Sequence, residues 1–144
     1  MSEQNYANHR QTVTMFHKVL FPLLVLTLIG SIVNLCKAFG DHHRLYSAAL
    51  IVAMAVALVL LMFMSRIFAL KAQDRAIRAE ENLRHFVLTG HLLDERLGPK
   101  QIVALRFASS AEFVALAERA AAESLSPDAI KQAIKNWRAD TYRV

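Results

Sequence analysis

From Val19 to Cys36 no residue carries a formal charge, and none does from Leu45 to Ser65. A bilayer core about 30 Å thick takes roughly 20 such residues per helix. Two runs of this kind constrain the fold more than any other feature of the chain: they predict two transmembrane helices and exclude a purely soluble or a disordered protein. Overall the 144 residues are 55% hydrophobic and 20% charged, against about 45–50% apolar and 25% charged in ordinary soluble domains. The excess is modest on average because it is concentrated in these runs.

The first run is not a cleaved signal peptide, since a long polar stretch precedes it, a second span follows, and no small-x-small site closes it. A helix is expected from about Thr12 to Phe39, with Pro22 able to bend it. Lys37 to Arg44 reads as an eight-residue connection, long enough only to join two antiparallel spans. The basic residues set the orientation. Arg10 and Lys18 precede span one, and Arg66, Lys71, Arg75, Arg78 and Arg84 follow span two, against Lys37 and Arg44 between them. Positive flanks stay in the cytoplasm, so both termini are expected inside and loop 37–44 outside.

Lipid tails supply no hydrophobic drive between helices, so small residues must bring the spans together. Thr27, Gly30, Ser31 and Asn34 form one stripe of span one, and Tyr46, Ala49, Ala53 and Ala57 one of span two. These eight are the expected hairpin contacts, with Asn34 bonding to Tyr46 or Ser47 near the outer loop. No ionisable group falls inside either span, which disfavours a polar path.

Beyond Arg66 no Gly or Pro occurs before Gly90, so span two is expected to continue as one helix to Thr89, where Gly90 stops it. Residues 45–89 would then reach about 68 Å. Ala72, Ala76, Ala79, Leu83 and Phe86 form a narrow apolar seam at 4-3-4-3 spacing, the pattern of a helix–helix contact. Asp74/Arg78 and Glu80/Arg84 are spaced as i,i+4 pairs. Three short helices should follow: Pro99 to Phe107, opened by its proline; Ser110 to about Ser124, behind a capping-box pattern; and Pro127 to about Thr141, capped by Ser126. Their apolar faces, Phe113/Leu116/Ala117/Ala120 and Ile130/Ile134/Trp137, are expected to fold back on the seam.

The predicted architecture is therefore all-α: an antiparallel two-helix transmembrane hairpin whose second helix extends into a small cytoplasmic helical domain. Residues 1–11 form a polar segment, loose or lying at the interface; 12–70 the hairpin, with spans at about 19–36 and 45–65; and 71–144 the domain.

Reaction chemistry finds little support in these residues. A single Cys, Cys36, excludes an internal disulfide framework or zinc ribbon. His42–His43 beside Asp41 reads as solvated loop, and His17 has no facing histidine in span two for a haem. His85 and His91 flank the Gly90 stop and suit a helix C-terminus. No Gly-x-Ser-x-Gly elbow, phosphate loop or His-Glu-x-x-His occurs. No cofactor, metal or catalytic residue is implied. Twelve basic and ten acidic residues follow Ala69, so the net charge of +5 is a topology signal and no nucleic-acid footprint. Basic groups beside a span attract anionic lipid, which makes Arg66, Lys71, Arg75, Arg78 and Arg84 the candidate docking or lipid-head contacts.

Several runs together resemble a domain-of-unknown-function family of small bacterial two-span inner-membrane proteins: Glu3 to His9, Arg44-Leu45-Tyr46-Ser47, Phe68 through Phe86, Gln101 to Ala108, and Ala133 to Asp140. The resemblance implies a bacterial inner-membrane protein and brings no activity. The expectation is a non-enzymatic accessory or scaffold protein, in contact with membrane lipid, docking on a membrane-protein partner or on itself. The alternative is a membrane-surface enzyme or lipid-binding protein with a site between the long helix and the short ones.

Overall fold

A computed structural model describes residues 4–9 and 12–140. All regular structure among them is helical: α1, Phe21–Ala38; α2, His42–Thr89; α3, Pro99–Leu105; α4, Ser110–Ala122; and α5, Pro127–Ala133. The described chain divides into two compact units, one of residues 12–69 and one that joins 4–9 to 70–140. The division falls inside α2, which is a single 48-residue helix.

In the first unit, α1 is preceded by a wider turn, Met15–Leu20, wound with i→i+5 bonds. Pro22 sits in the first turn of α1. Its ring has no N–H and crowds the carbonyl four residues back, and widening the helix before it relieves that crowding. Helix α1 closes at Ala38 and α2 opens at His42, so the connection is shorter than the eight residues expected. Gly40 takes φ +101°, a conformation that L side chains rarely adopt. Asp41 caps α2 by accepting from His43 N at 3.1 Å and Arg44 N at 3.3 Å. The helices Met15–Ala38 and His42–Thr89 are each long and apolar enough to cross a membrane.

Side chains from both helices meet in this unit. Phe21 meets Phe63 edge-on at 6.4 Å, and the Arg66 guanidinium lies 5.2 Å over the Phe16 ring. The buried residues are Ser31, Ala38, Ala48, Ala55 and Met62. Of the eight expected contacts only Ser31 is among them; Thr27, Gly30, Asn34, Tyr46, Ala49, Ala53 and Ala57 are exposed within the unit. Asn34 makes no hydrogen bond to Tyr46 or Ser47 among the described residues, and the Ser47 hydroxyl donates to the Arg44 carbonyl instead. The reason is periodicity. A four-residue spacing such as Ala49–Ala53–Ala57 drifts about 40° per step round a helix. The covered residues, Leu24, Leu28, Ser31, Leu35 and Ala38 in α1, alternate four and three, which keeps one line along the helix.

The second unit has the larger core. Phe107, Phe113, Leu105 and Ile130 are its largest fully buried side chains, with Leu93, Leu97, Leu116 and Ile134 around them. Helix α2 ends as expected: Gly90 adopts φ +79° and its N–H donates to the Phe86 carbonyl at 2.7 Å. In the loop that follows, the Arg96 guanidinium and backbone N–H both donate to Asp94 and hold its carboxyl at about 2, below the ordinary 3.8. The Gln101 side chain ties the start of α3 to the end of α4, accepting from Gly98 N at 2.7 Å and donating to the Leu125 carbonyl at 2.7 Å.

The last helix is shorter than its sequence pattern suggests. It stops at Ala133, and Ile134 is extended. The Glu112 carboxylate, expected to close a capping box on its own helix, accepts instead from Lys135 N at 3.1 Å and Asn136 N at 2.9 Å. Those two donors are lost to the helix, and the chain pairs with 107–109 through Arg138 N to Phe107 O and Ser109 N to Asn136 O. The expected end at Thr141 lies outside the described residues.

The N-terminal segment is not loose where it is described. Tyr6 stacks on His9 at 5.7 Å, and His9 meets Phe107 at 5.8 Å and Trp137 at 5.9 Å. The Gln4 side-chain oxygen Oε1 accepts from Asp140 N, Gln132 donates to the Tyr6 hydroxyl, and the Lys131 ammonium lies 3.3 Å from His9 Nε2. A polar, aromatic-bearing segment thus covers the Phe107–Trp137 pair, whose rings are 5.1 Å apart.

Candidate docking surface

The part of α2 in the second unit has three distinct sides. The side against the short helices is polar. Glu81 is 3% exposed and accepts from Arg84 at 3.0 Å, with Arg138 3.6 Å away. The Arg84 guanidinium also donates to the Ala108 carbonyl at 2.8 Å and the Ser110 hydroxyl at 3.2 Å, and lies 4.3 Å over the Phe113 ring. His85 is buried, shares the Nδ1 side of its ring with the His91 carbonyl at 2.8 Å, and meets Phe113 edge-on. Asn82 accepts from Leu93 N. Glu81, Arg84, His85 and Asn82 thus each have a partner, the condition under which burial of charge is tolerated.

The seam lies elsewhere. Ala72, Ala76, Ala79, Leu83 and Phe86 are all exposed, Leu83 at 63% and Phe86 at 51%, with the neighbouring Val87 at 74%. At about 100° per residue, this stripe sits roughly 180° round the helix from the line of Ile77, Glu81 and His85. The expected folding-back of α4 and α5 onto the seam does not occur. Those helices cover the opposite face, because Glu81 and Arg84 reach partners there that the alanines cannot offer. The expected Asp74/Arg78 and Glu80/Arg84 ion pairs are likewise absent among the described residues; Arg84 is engaged by Glu81.

Between these two faces runs an open groove of about 620 Å³ lined by Lys71, Asp74, Arg75, Arg78, Asn82 and Pro99. Three of the five expected docking or lipid-head residues, Lys71, Arg75 and Arg78, are therefore brought together. The other two are not. Arg66 belongs to the first unit, over Phe16, and Arg84 is 12% exposed in the core, where it is a structural ion.

A second cluster escaped sequence reasoning. Arg106 and Asp140 pair at 2.9 Å and, with Gln73, Glu81 and Arg138, line a cavity of about 280 Å³. Gln73 Oε1 is buried there with no hydrogen-bond partner among the described residues. Glu81 and Arg84, three apart, carried a local signal as an i,i+3 pair. Arg106 and Asp140 carried none. The carboxylates of Glu81 and Asp140 are occupied by arginines, so the cluster holds the C-terminal segment against α2.

Among known proteins, the model of one family, DUF6526, described as a family of unknown function, matches residues 1–144. No curated protein and no solved structure matches the chain.

Proposed function

The chain belongs to DUF6526, a family of unknown function, and we propose that it is a non-enzymatic membrane scaffold. In this reading α1 and the first half of α2 form an antiparallel hairpin in the bacterial inner membrane, with both termini cytoplasmic and the short connection outside. The helical unit then offers the seam of α2 to a helix of a membrane-protein partner. Two long apolar helices and the excess of basic residues outside the 37–44 connection support the placement.

The observation that carries the docking reading is the exposure of Leu83, Phe86 and Val87 on a helix whose own domain already covers its other side. Contiguous exposed apolar surface on a folded domain marks an interaction site. A photo-crosslinking residue at Leu83, in native membranes, should give a defined adduct that the same residue at exposed Glu118 on α4 does not. Equal labelling at both positions would overturn the reading. Reporter fusions at Asp41 and at the C-terminus test the topology, and a cytoplasmic signal from Asp41 would reverse it.

The groove favours a second reading, in which anionic lipid headgroups bind between α2 and the start of α3. Lys71, Arg75 and Arg78 face one acidic residue there, Asp74, and basic groups close to a bilayer surface contribute about 1 kcal/mol each to anionic lipid attraction. Phosphatidylglycerol retained through native mass spectrometry, and lost in Lys71→Ala/Arg78→Ala, would support it. Unchanged retention in that variant would exclude it.

A further inference from the structure

We infer that the occupant of the α2 seam is a second copy of this chain, lying parallel and in register. The inference rests on the docking reading above and names its partner. Written as a heptad, the seam places Ala76 and Leu83 at a and Ala72, Ala79 and Phe86 at d. The flanking positions are then Arg75 at g and Glu80 at e. In a parallel two-stranded coiled coil, a g residue faces the e residue five positions later on the other helix. Arg75 of one copy therefore meets Glu80 of the second, and two-fold symmetry makes the contact twice. The next such pair, Asn82 with Val87, carries no charge and opposes nothing.

Three observations favour self-pairing over a foreign helix. Arg75 and Glu80 are both exposed, and neither enters an ion pair within the chain among the described residues, although Glu81 and Arg84 beside them do. The basic and acidic groups sit five positions apart on one helix, the spacing that parallel self-pairing uses; a foreign partner needs only one of them matched. An antiparallel pair sets e against e and g against g, which gives Arg75 no carboxylate and brings the two Glu80 side chains together. Parallel is also the direction that two copies anchored the same way in one membrane must take. The small residues Ala72, Ala76 and Ala79 let the helices approach closely at one end, while Leu83 and Phe86 fill the other.

The test uses the full chain in native membranes, with Cys36, which is exposed, replaced by serine. Single cysteines are introduced as Ala79→Cys, Leu83→Cys and Phe86→Cys, with Glu118→Cys as control. Oxidation should give a disulfide-linked dimer at each of the three seam positions with itself, and none at Glu118. Arg75→Glu and Glu80→Arg should each lower the Leu83→Cys dimer fraction, by about tenfold given two repulsive contacts per dimer, and the double exchange should restore it. Trp137 fluorescence reports that each variant remains folded. A disulfide between Leu83→Cys and Ala79→Cys chains without either self-link would overturn the parallel register, as would indifference to the charge exchanges. A photo-adduct from Leu83 to a different protein, with no self-link, would overturn self-pairing and leave the docking reading standing; no adduct of any kind would overturn both.

Discussion

Glu81 is 3% exposed and lies 3.0 Å from Arg84 and 3.6 Å from Arg138, so Glu81→Ala strands a cation in the core of the helical unit. Breaking a buried pair by removing one partner costs about 3–5 kcal/mol. Arg84 keeps the Ala108 carbonyl, the Ser110 hydroxyl and the Phe113 ring, and its side chain is 12% exposed, which places the expected loss near the lower end, about 3 kcal/mol. For a unit of this size each kcal/mol moves the melting temperature by about 4–8 °C, so the midpoint should fall by about 12–24 °C. Glu81→Gln keeps an acceptor and the packing volume, and should cost roughly half as much. Glu81→Leu with Arg84→Leu removes both charges and should be milder than Glu81→Ala alone, a non-additivity expected of partners in contact.

Trp137 is the only tryptophan in the chain, and its ring lies against Phe107. Thermal unfolding of the detergent-solubilised protein, followed by tryptophan emission, therefore reads this unit alone. Glu118→Ala is the matched control, since an exposed side chain on α4, away from the seam, should change stability by no more than about 0.5 kcal/mol. A smaller shift for Glu81→Ala than for Glu118→Ala would refute the claim that the polar face of α2 holds the unit together.

Asp94 should titrate at about 2 by NMR, against the ordinary 3.8, because Arg96 bonds its charged form. The pair's contribution is complete above the ordinary carboxylate value and disappears as pH falls through about 2; Arg96→Ala should bring the midpoint up towards 3.8, and an unmoved midpoint would exclude Arg96 as the cause. His9→Ala removes the ring between Tyr6, Phe107 and Trp137; it should shift Trp137 emission to longer wavelength and cost about 1 kcal/mol, whereas an unchanged spectrum would detach the N-terminal segment from the unit. Ser126→Ala deletes the acceptor of the Ala129 N–H at the start of α5 and should cost about 1 kcal/mol by chemical denaturation, a loss that Ser126→Asp should largely avoid.

What was legible in the residues was local. The Gly90 stop, the proline starts at Pro99 and Pro127 and the Ser126 cap all act within one turn, and each boundary falls where its signal lies. The seam's 4-3 spacing marked a face for helix packing, but periodicity says that a face is apolar and not what covers it. Arg84 read as a docking or lipid-head contact and His85 as a helix-end residue because the partners of this face at Ala108, Phe113 and Arg138 are contributed by chain far along the sequence. The same holds for Tyr6 and His9, whose partners Gln132 and Lys131 stand at the far end of the chain. In the first unit the stripe of small residues was the visible signal, yet the covered line runs through Leu24, Leu28 and Leu35. Approach distance alone is a weaker guide there than a line that stays straight over several turns.

The two faces of α2 explain one another. Fully burying a leucine, valine or phenylalanine is worth about 1.5–3 kcal/mol, so a domain free to choose would cover Leu83, Phe86 and Val87. It does not, because Glu81 and Arg84 lock the short helices to the other side through bonds that the seam cannot supply. The polar face thereby keeps the apolar one open. Releasing the lock should make the domain a competitor for the seam: Glu81→Ala, in the Leu83→Cys background, should lower the disulfide-linked fraction as well as the melting temperature. If the Trp137 midpoint falls while the disulfide fraction holds, the faces act independently, and the exposure of the seam needs a cause other than the buried ion pair.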